Sequence, residues 1–319
     1  MNKNILIICD NDKNYCKKLD SYIRDNLSIP FDIYEITDAE RLMGFTEKGK
    51  NVLLLISQTL FEKEKLNGFE HVLVLREKEK CLAEEGSEYG AQHRDTRYTD
   101  KYQKSEKITD AILGMCLDMP GIVVKGKENE AEKKVKVIGF YTPALNNNQT
   151  REAIAYARNL SSEGNTIYIN TDPLCTNGVI RNEAWEETLI DLMYFAECAG
   201  DKFGIYFERI LKHDNGLDFI PASNSACQSR MISAKEYEKL INQIEGRNGY
   251  DNILLDISEG VRDLFGMIHL CDEIYMLWDD DYKANMRTNL FLEELKRDDG
   301  FDMKRLHRIS RTEEHCLEA

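Results

Sequence analysis

Positive charge is scarce in this sequence. Its 42 lysines and arginines face 57 aspartates and glutamates, a formal net charge of −15. Such a surface repels phosphate-rich partners. This argues against general binding of nucleic acid or anionic lipid and leaves only a local basic patch as a route to either. No apolar run approaches the roughly 20 residues that cross a bilayer. The opening stretch MNKNILIICDND enters a strand at once, without the long apolar core and small-residue cleavage site of a leader. Paired cysteines are missing as well. The nine cysteines stand singly, none in a CxxC, and their odd number argues against a disulfide framework. They read as small buried apolar residues of a cytoplasmic protein. The six histidines are scattered with no HxxxH and no Cys/His cluster, so no dedicated metal centre is expected. The sequence has no internal repeat, heptad array or low-complexity tract.

What the chain does have is core material. Hydrophobic residues make up 42% and charged residues 31% of 319 residues, enough for two domains of ordinary size. In the first half, NILIICDND is a short apolar run ending in acids. KNYCKKLDSYIRDNL places Tyr15, Leu19, Tyr22, Ile23 and Leu27 at helical spacing. FDIYEI reads as a strand, and DAERLMGF as a short helix with Asp38 as its cap. NVLLLIS and HVLVLRE are unbroken apolar runs, the mark of parallel strands covered on both faces. KSEKITDAILGMCLDM is an amphipathic helix, and Glu77 to Arg97 reads as a loop or poorly formed helix. Pro120-Gly121 and the charged KGKENEAEKK break the pattern. The expected division is therefore a domain over 1–119, a linker over 120–134 and a second domain over 135–319.

The second half alternates too. Strands are expected at 135–141, 166–170, 217–220, 252–256 and 273–277. Helices are expected at 149–163, 183–199, 234–246, 259–269 and 284–297. Ser233-Ala-Lys-Glu236 forms a capping box ahead of one of them. RTNLFLEELKRD reads as a final helix packed on the sheet, and the chain end shows no sustained apolar face that would insert into a membrane. The fold class expected is α/β, with two doubly wound, mainly parallel domains.

One segment has the layout of a phosphate-binding loop. VKVIGFYTPALNNNQTREAIAYARNLSSEGNTIYINTDP runs strand, polar loop, helix, strand. Such a loop works because glycines turn backbone N–H groups onto phosphate oxygens, a lysine neutralises charge and Ser/Thr holds Mg²⁺. Here Thr150 falls on the Mg²⁺ hydroxyl, Gln149 on the lysine and Asn148 on the glycine before it, with Asn146 and Asn147 completing the loop. Asparagine tolerates left-handed backbone angles, so the run is able to mimic part of a glycine loop, but it supplies no positive charge. The alternative is that Asn146–Asn148 are turn residues and Thr150 caps a helix. NTIYINTDP ends in Asn170 and Asp172, and YDNILLDISEG ends a strand in Asp256, where an aspartate is able to hold Mg²⁺ through water. Strand-end aspartates are common in any α/β fold, so that signal is weak alone.

Taken in order, KVKVIGFYTP, TREAIAYARNLSSEGNTIYINTDP, NGLDFIPASNSA, ISAKEYEKLI, YDNILLDISEG and CDEIYMLWDDD resemble the ParA/MinD-type deviant Walker ATPases. Within them they are most similar to the TadZ/CpaE pilus-assembly branch, over essentially all of 135–300. The resemblance implies a P-loop NTPase-like second domain that forms a homodimer, with ATP and Mg²⁺ as cofactors. It makes Asn146, Asn147, Asn148, Gln149, Thr150, Asp172 and Asp256 the nucleotide site. Thr150 and Asp256 would hold the metal, and Asp172 and Asp256 are the catalytic candidates. Members of that branch carry a receiver-like first domain. Here ILIICDND supplies its acidic pair, Asp10 and Asp12, and YTDKYQK supplies Lys101. The phospho-acceptor aspartate has no match, since NVLLLIS offers Ile56 or Ser57. Ala144 and Gln149 stand where the family has lysines, and Asn170 replaces an acid.

Three functions follow from that resemblance. The first is a localisation scaffold for Flp/Tad-type pilus assembly, dimerising through a degenerate ATPase-like domain, with pilus or secretion assembly proteins as partners that recruit it to a pole or to the inner face of the membrane. The second is a nucleotide-dependent ATPase switch in which a lysine from elsewhere compensates. The third is a receiver-controlled signalling output module. Efficient hydrolysis is not expected without the loop lysines, and DNA segregation is disfavoured by the net charge.

Overall fold

A computed structural model of the chain describes residues 4–27, 29–48, 52–63, 68–77, 95–122, 134–143, 148–173, 185–247, 249–278, 282–298 and 300–310. It divides into two compact units, Met1–Lys125 with Gly204–Arg209, and Gly126–Phe203 with Ile210–Ala319. The fold is mixed α/β, with two mainly parallel sheets.

The first unit runs β1 (Asn4–Cys9), α1 (Lys13–Asn26), β2 (Phe31–Ile36), a 3-10 stretch (Ala39–Lys48), β3 (Val52–Ser57), α2 (Gln58–Lys63), β4 (His71–Arg76), β5 (Asp95–Asp100) and α3 (Ser105–Asp118). Its sheet order is β2-β1-β3-β4-β5, all parallel, which is the flavodoxin and receiver order. The unbroken apolar strands are explained by burial on both faces. Leu6, Ile8, Leu53, Leu55, Leu73 and Leu75 pack with helical residues such as Leu19, Ile23, Ile108 and Ile112. The alternate residues, Ile5, Ile7, Leu54, Ile56, Val72 and Val74, build a second core with Leu42, Leu60 and Phe69. Asp38 Oδ1 accepts the Glu40 N–H at 3.1 Å and starts the 3-10 stretch. The expected loop over 77–97 is wrong at its end. Residues 78–94 lie outside the described residues, but β5 already begins at Asp95, a polar edge strand held in parallel register on β4.

The second unit runs β6 (Lys136–Phe140), α4 (Gln149–Glu163), β7 (Thr166–Asn170), α5 (Leu189–Cys198), the two ends of α6 (Gly200–Ile210, whose Gly204–Arg209 belongs to the first unit), β8 (Lys212–Asp214), β9 (Leu217–Ile220), α7 (Ala226–Ser229), α8 (Ala234–Glu245), β10 (Asn252–Asp256), α9 (Leu264–His269), β11 (Glu273–Trp278), α10 (Tyr282–Arg297) and β12 (Leu306–Ser310). The sheet order is β12-β11-β6-β10-β7-β9-β8, parallel except for the β8–β9 hairpin. Three sequence expectations need correction. The helix expected from 259 starts at Leu264, because Asp263 caps it by accepting the Gly266 N–H at 2.9 Å. The helix expected over 183–199 starts at Leu189, behind a capping box in which the Thr188 N–H donates to Asp191 at 2.8 Å. The helix read as final is followed by β12, which extends the sheet beside β11. Residues 123–133, most of the expected linker, lie outside the described residues.

Not every cysteine is a core residue. Cys9, Cys16, Cys116 and Cys271 are buried, but Cys198 and Cys227 are exposed. Among the described residues no helix is long and apolar enough to cross a membrane, and no group of three or more His, Cys, Asp or Glu is placed to hold a metal ion.

The capping box at Ser233 is present. Its N–H and its hydroxyl both donate to Glu236 Oε2 at 2.7 Å, and these bonds, the backbone one foremost, hold the Glu236 carboxyl below its ordinary range. Ser233→Ala is expected to lower the stability of this unit by about 1 kcal/mol, read as a shift in the urea midpoint.

Candidate functional site

The site forms where β6 and β10 end side by side. Parallel register pairs Asp256 with Phe140 on one side and with Asn170 of β7 on the other. The phosphate-loop candidates enter just beyond β6. Asn146 and Asn147, with Ala144, lie outside the described residues. Asn148 is the residue before α4, at φ −87° and ψ −11°, in right-handed geometry. It does not adopt the left-handed conformation that would let it stand in for glycine. Nor does Thr150 cap the helix, since α4 already begins at Gln149.

Gln149 occupies the centre of the site. Its side-chain amide nitrogen donates to Asp256 Oδ1 at 2.6 Å, to the Ile257 carbonyl at 2.9 Å and to the Phe140 carbonyl at 3.3 Å. The neutral amide therefore lies across the ends of β6 and β10. Asp256 is 2% exposed. Thr150 also hydrogen-bonds to its carboxylate, and the Tyr168 hydroxyl donates to Oδ2 at 2.8 Å. Both carboxylate oxygens are thus taken by the chain itself. Burial pushes the Asp256 carboxyl above its ordinary range. The hydrogen bonds from Gln149, Thr150 and Tyr168 pull the other way, and the charge of Asp172 adds to the upward push.

Asp172 follows β7 and is half-buried; its N–H donates to Asn170 Oδ1 at 2.7 Å. Asn170 Nδ2 in turn donates to the Tyr168 hydroxyl at 3.1 Å. A backbone clasp closes this side. The N–H and hydroxyl of Thr171 donate to the Asp256 carbonyl at 3.0 and 3.1 Å, and the Ser258 N–H donates to Thr171 Oγ1 at 2.8 Å. Sequence reasoning missed Tyr168 and Thr171. The available signal was a tyrosine inside an otherwise apolar strand, two residues before Asn170 and so on its face, since a buried phenol needs a partner.

The loop's entry is tied down by α10. Arg287 Nε donates to the Pro143 carbonyl at 2.7 Å, and its guanidinium lies 3.5 Å from Glu259. The Tyr141 hydroxyl donates to the same Glu259 carboxylate at 3.0 Å.

In the first unit the acidic pair is split between two tasks. Asp10 is buried, and its Oδ2 lies 2.6 Å from Lys101 Nζ; the same ammonium lies 2.9 Å from Glu77. Asp12 is exposed and caps α1, accepting the Asn14 and Tyr15 N–H groups at 2.9 and 3.1 Å. Cys9 pairs with Ile56, so Asp10 and Ser57 lie together where β1 and β3 end. Ser57 is buried, and its hydroxyl has no hydrogen-bond partner among the described residues. A hydroxyl, not a carboxylate, stands opposite Asp10.

No protein-family model matches the chain, and no curated protein matches it. Solved structures do. A ParA family ATPase from Chlorobium tepidum is 16% identical, with a TM-score of 0.46, over 56% of this chain and 74% of its own. A cobyrinic acid a,c-diamide synthase from Mycobacterium smegmatis, with bound ATP analogue and magnesium, is 12% identical with a TM-score of 0.43, over 56% and 72%. A plasmid partition protein from Borrelia burgdorferi is 17% identical with a TM-score of 0.41, over 58% and 85%.

Proposed function

We propose that the second unit is a nucleotide switch of the ParA/MinD kind that has lost efficient hydrolysis, and that the chain works as a dimeric localisation scaffold in Flp/Tad-type pilus assembly. The observation that carries the switch reading is Thr150 hydrogen-bonded to Asp256 where β6 and β10 end, and the Gln149 amide set on the same carboxylate carries the loss of hydrolysis. The scaffold role rests on the order of motifs from GLDFIPAS to YDNILLD.

The residues fit a magnesium nucleotide in part. Thr150 and Asp256 are adjacent and have the oxygen donors that magnesium prefers. They are the residues that would hold the ion, and the ion would supply charge neutralisation to the phosphates. Gln149 gives no cation, and Asp256 faces an ion only after the Gln149 amide swings away. Binding therefore competes with three hydrogen bonds already made. The loop sequence from Ala144 to Thr150 supplies no positive charge for the transferring phosphoryl group. The receiver-controlled alternative is weaker, because Ser57 offers no carboxylate for acyl-phosphate chemistry and Lys101 is already matched by Asp10 and Glu77.

The test is calorimetry and phosphate release on the full chain with ATP and Mg²⁺. The expected result is weak binding and no turnover above background. Brisk Mg²⁺-dependent turnover that Asp256→Ala abolishes would overturn the loss of hydrolysis. Absence of heat at millimolar nucleotide would remove the switch.

A further inference from the structure

The outer face of α10 carries an apolar stripe that the fold does not use. Tyr282 is 76% exposed, Met286 48% and Leu290 59%. They are spaced by four residues, so they lie along one side of the helix. The opposite side, Thr288, Phe291, Leu292 and Leu295, is buried and already seats the helix on its own unit. Among the described residues most large apolar side chains are covered, so three exposed in one row on one helix is a concentration that packing does not account for.

We propose that this stripe pairs with the same stripe of a second copy of the chain, the two α10 helices running antiparallel. The charges beside it select that occupant. Lys283 flanks the stripe at its start, and Glu293 lies just beyond Leu290, both exposed. When Met286 of one copy meets Leu290 of the other, antiparallel register brings Lys283 of each copy opposite Glu293 of the other. The two ion pairs are related by the twofold axis, as a self-complementary interface requires. A membrane surface is a poorer match. It calls for basic residues along the whole polar face, whereas Glu293 and Glu294 are exposed here and the chain carries a net charge of −15. The pairing has a consequence for the site, because Arg287 of the same helix holds the Pro143 carbonyl at the loop's entry. Fixing α10 in a dimer stabilises that grip.

The inference rests on the homodimer part of the proposed function and names its surface. The experiment is sedimentation velocity on the full chain without nucleotide, over about 1 to 100 µM, a range that covers association through a small interface. Wild type is expected to move from monomer to dimer. Met286→Glu is expected to remain monomeric, and Lys283→Glu to weaken the dimer about tenfold. Lys283→Glu combined with Glu293→Lys is expected to restore it. These positions are exposed, so thermal midpoints measured well below the concentrations at which wild type dimerises should stay at the wild-type value. A dimer of unchanged affinity in every variant, with or without added Mg-ATP, overturns this surface and leaves the homodimer reading intact. A wild-type monomer throughout the range, with Mg-ATP also present, overturns both.

Discussion

Replacing Lys101 with methionine is expected to destabilise the first unit by about 3–5 kcal/mol, the cost of breaking a buried ion pair from one side. Lys101 and Asp10 are 4% and 2% exposed and lie 2.6 Å apart. Burial by itself would draw the Lys101 ammonium below its ordinary range. Hydrogen bonds to Asp10 and Glu77 outweigh burial and hold it above that range. A raised lysine contributes its stability in full below its unfolded value of 10.5 and loses it only as pH rises through the folded value, so the pair is intact at neutral pH. Removing the ammonium leaves Asp10 buried without a counter-charge, while Glu77, 26% exposed, is able to turn to water. Asp10→Leu combined with Lys101→Met should cost less than Lys101→Met alone, because no uncompensated charge is left inside. Both tryptophans, Trp185 and Trp278, belong to the second unit. Part of the far-ultraviolet circular dichroism transition should move to lower urea, and tryptophan emission reads how far the second unit follows it. A loss below about 1 kcal/mol, the range of an exposed pair, would show that the lysine is not structurally committed to Asp10.

The same residues show what the sequence makes legible. β6, β7 and β10 are apolar runs because neighbours cover both faces, and the sequence pattern bounds α4 at Gln149 and Glu163 as the structure does. The edge strands have a wet side, whereas α6 escapes the reading although its Phe203, Ile205 and Phe207 are buried. β12 reads LHRIS at one sheet edge, and β5 reads DTRYTD at another, with only its end marked by the receiver-like YTDKYQK. Within the site, the phosphate-loop template and the resemblance group Gln149, Thr150 and Asp256, and the structure places them in hydrogen-bond contact. The role of Gln149 was not legible. Comparison with a lysine shows what is missing, a charge, but not what the amide does instead. That depends on the β6–β10 register, which sets the Phe140 and Ile257 carbonyls around one nitrogen. Tyr168 and Thr171 were hidden likewise, since a cross-strand partner is fixed by strand pairing and not by local periodicity.

Gln149→Lys tests that account directly. A hydrogen bond to a charged group contributes about 1.5–3 kcal/mol. At 1.4 kcal/mol per tenfold, an ammonium at this position should tighten Mg-ATP binding by roughly tenfold to a hundredfold in calorimetry. The new ammonium would also change how Asp256 titrates. In the wild type, burial raises the Asp256 carboxyl, so the folded state binds this proton more tightly than the unfolded chain. Its contribution to stability is then fullest below the ordinary value of 3.8 and is lost as pH rises through the folded value. Beside an ammonium the charged form is favoured. The sign reverses, and the contribution is present above the ordinary value and lost as pH falls. Many carboxylates titrate in the same range, so the informative quantity is the difference between variant and wild type in the urea midpoint followed by tryptophan emission. That difference is expected to grow in favour of the variant from about pH 4 to about pH 7. A flat difference would mean that the substituted side chain has left Asp256. A steep difference with no gain in nucleotide affinity would mean that the cation reached the carboxylate but the pocket no longer admits a triphosphate. In that case the missing lysine is not what limits binding.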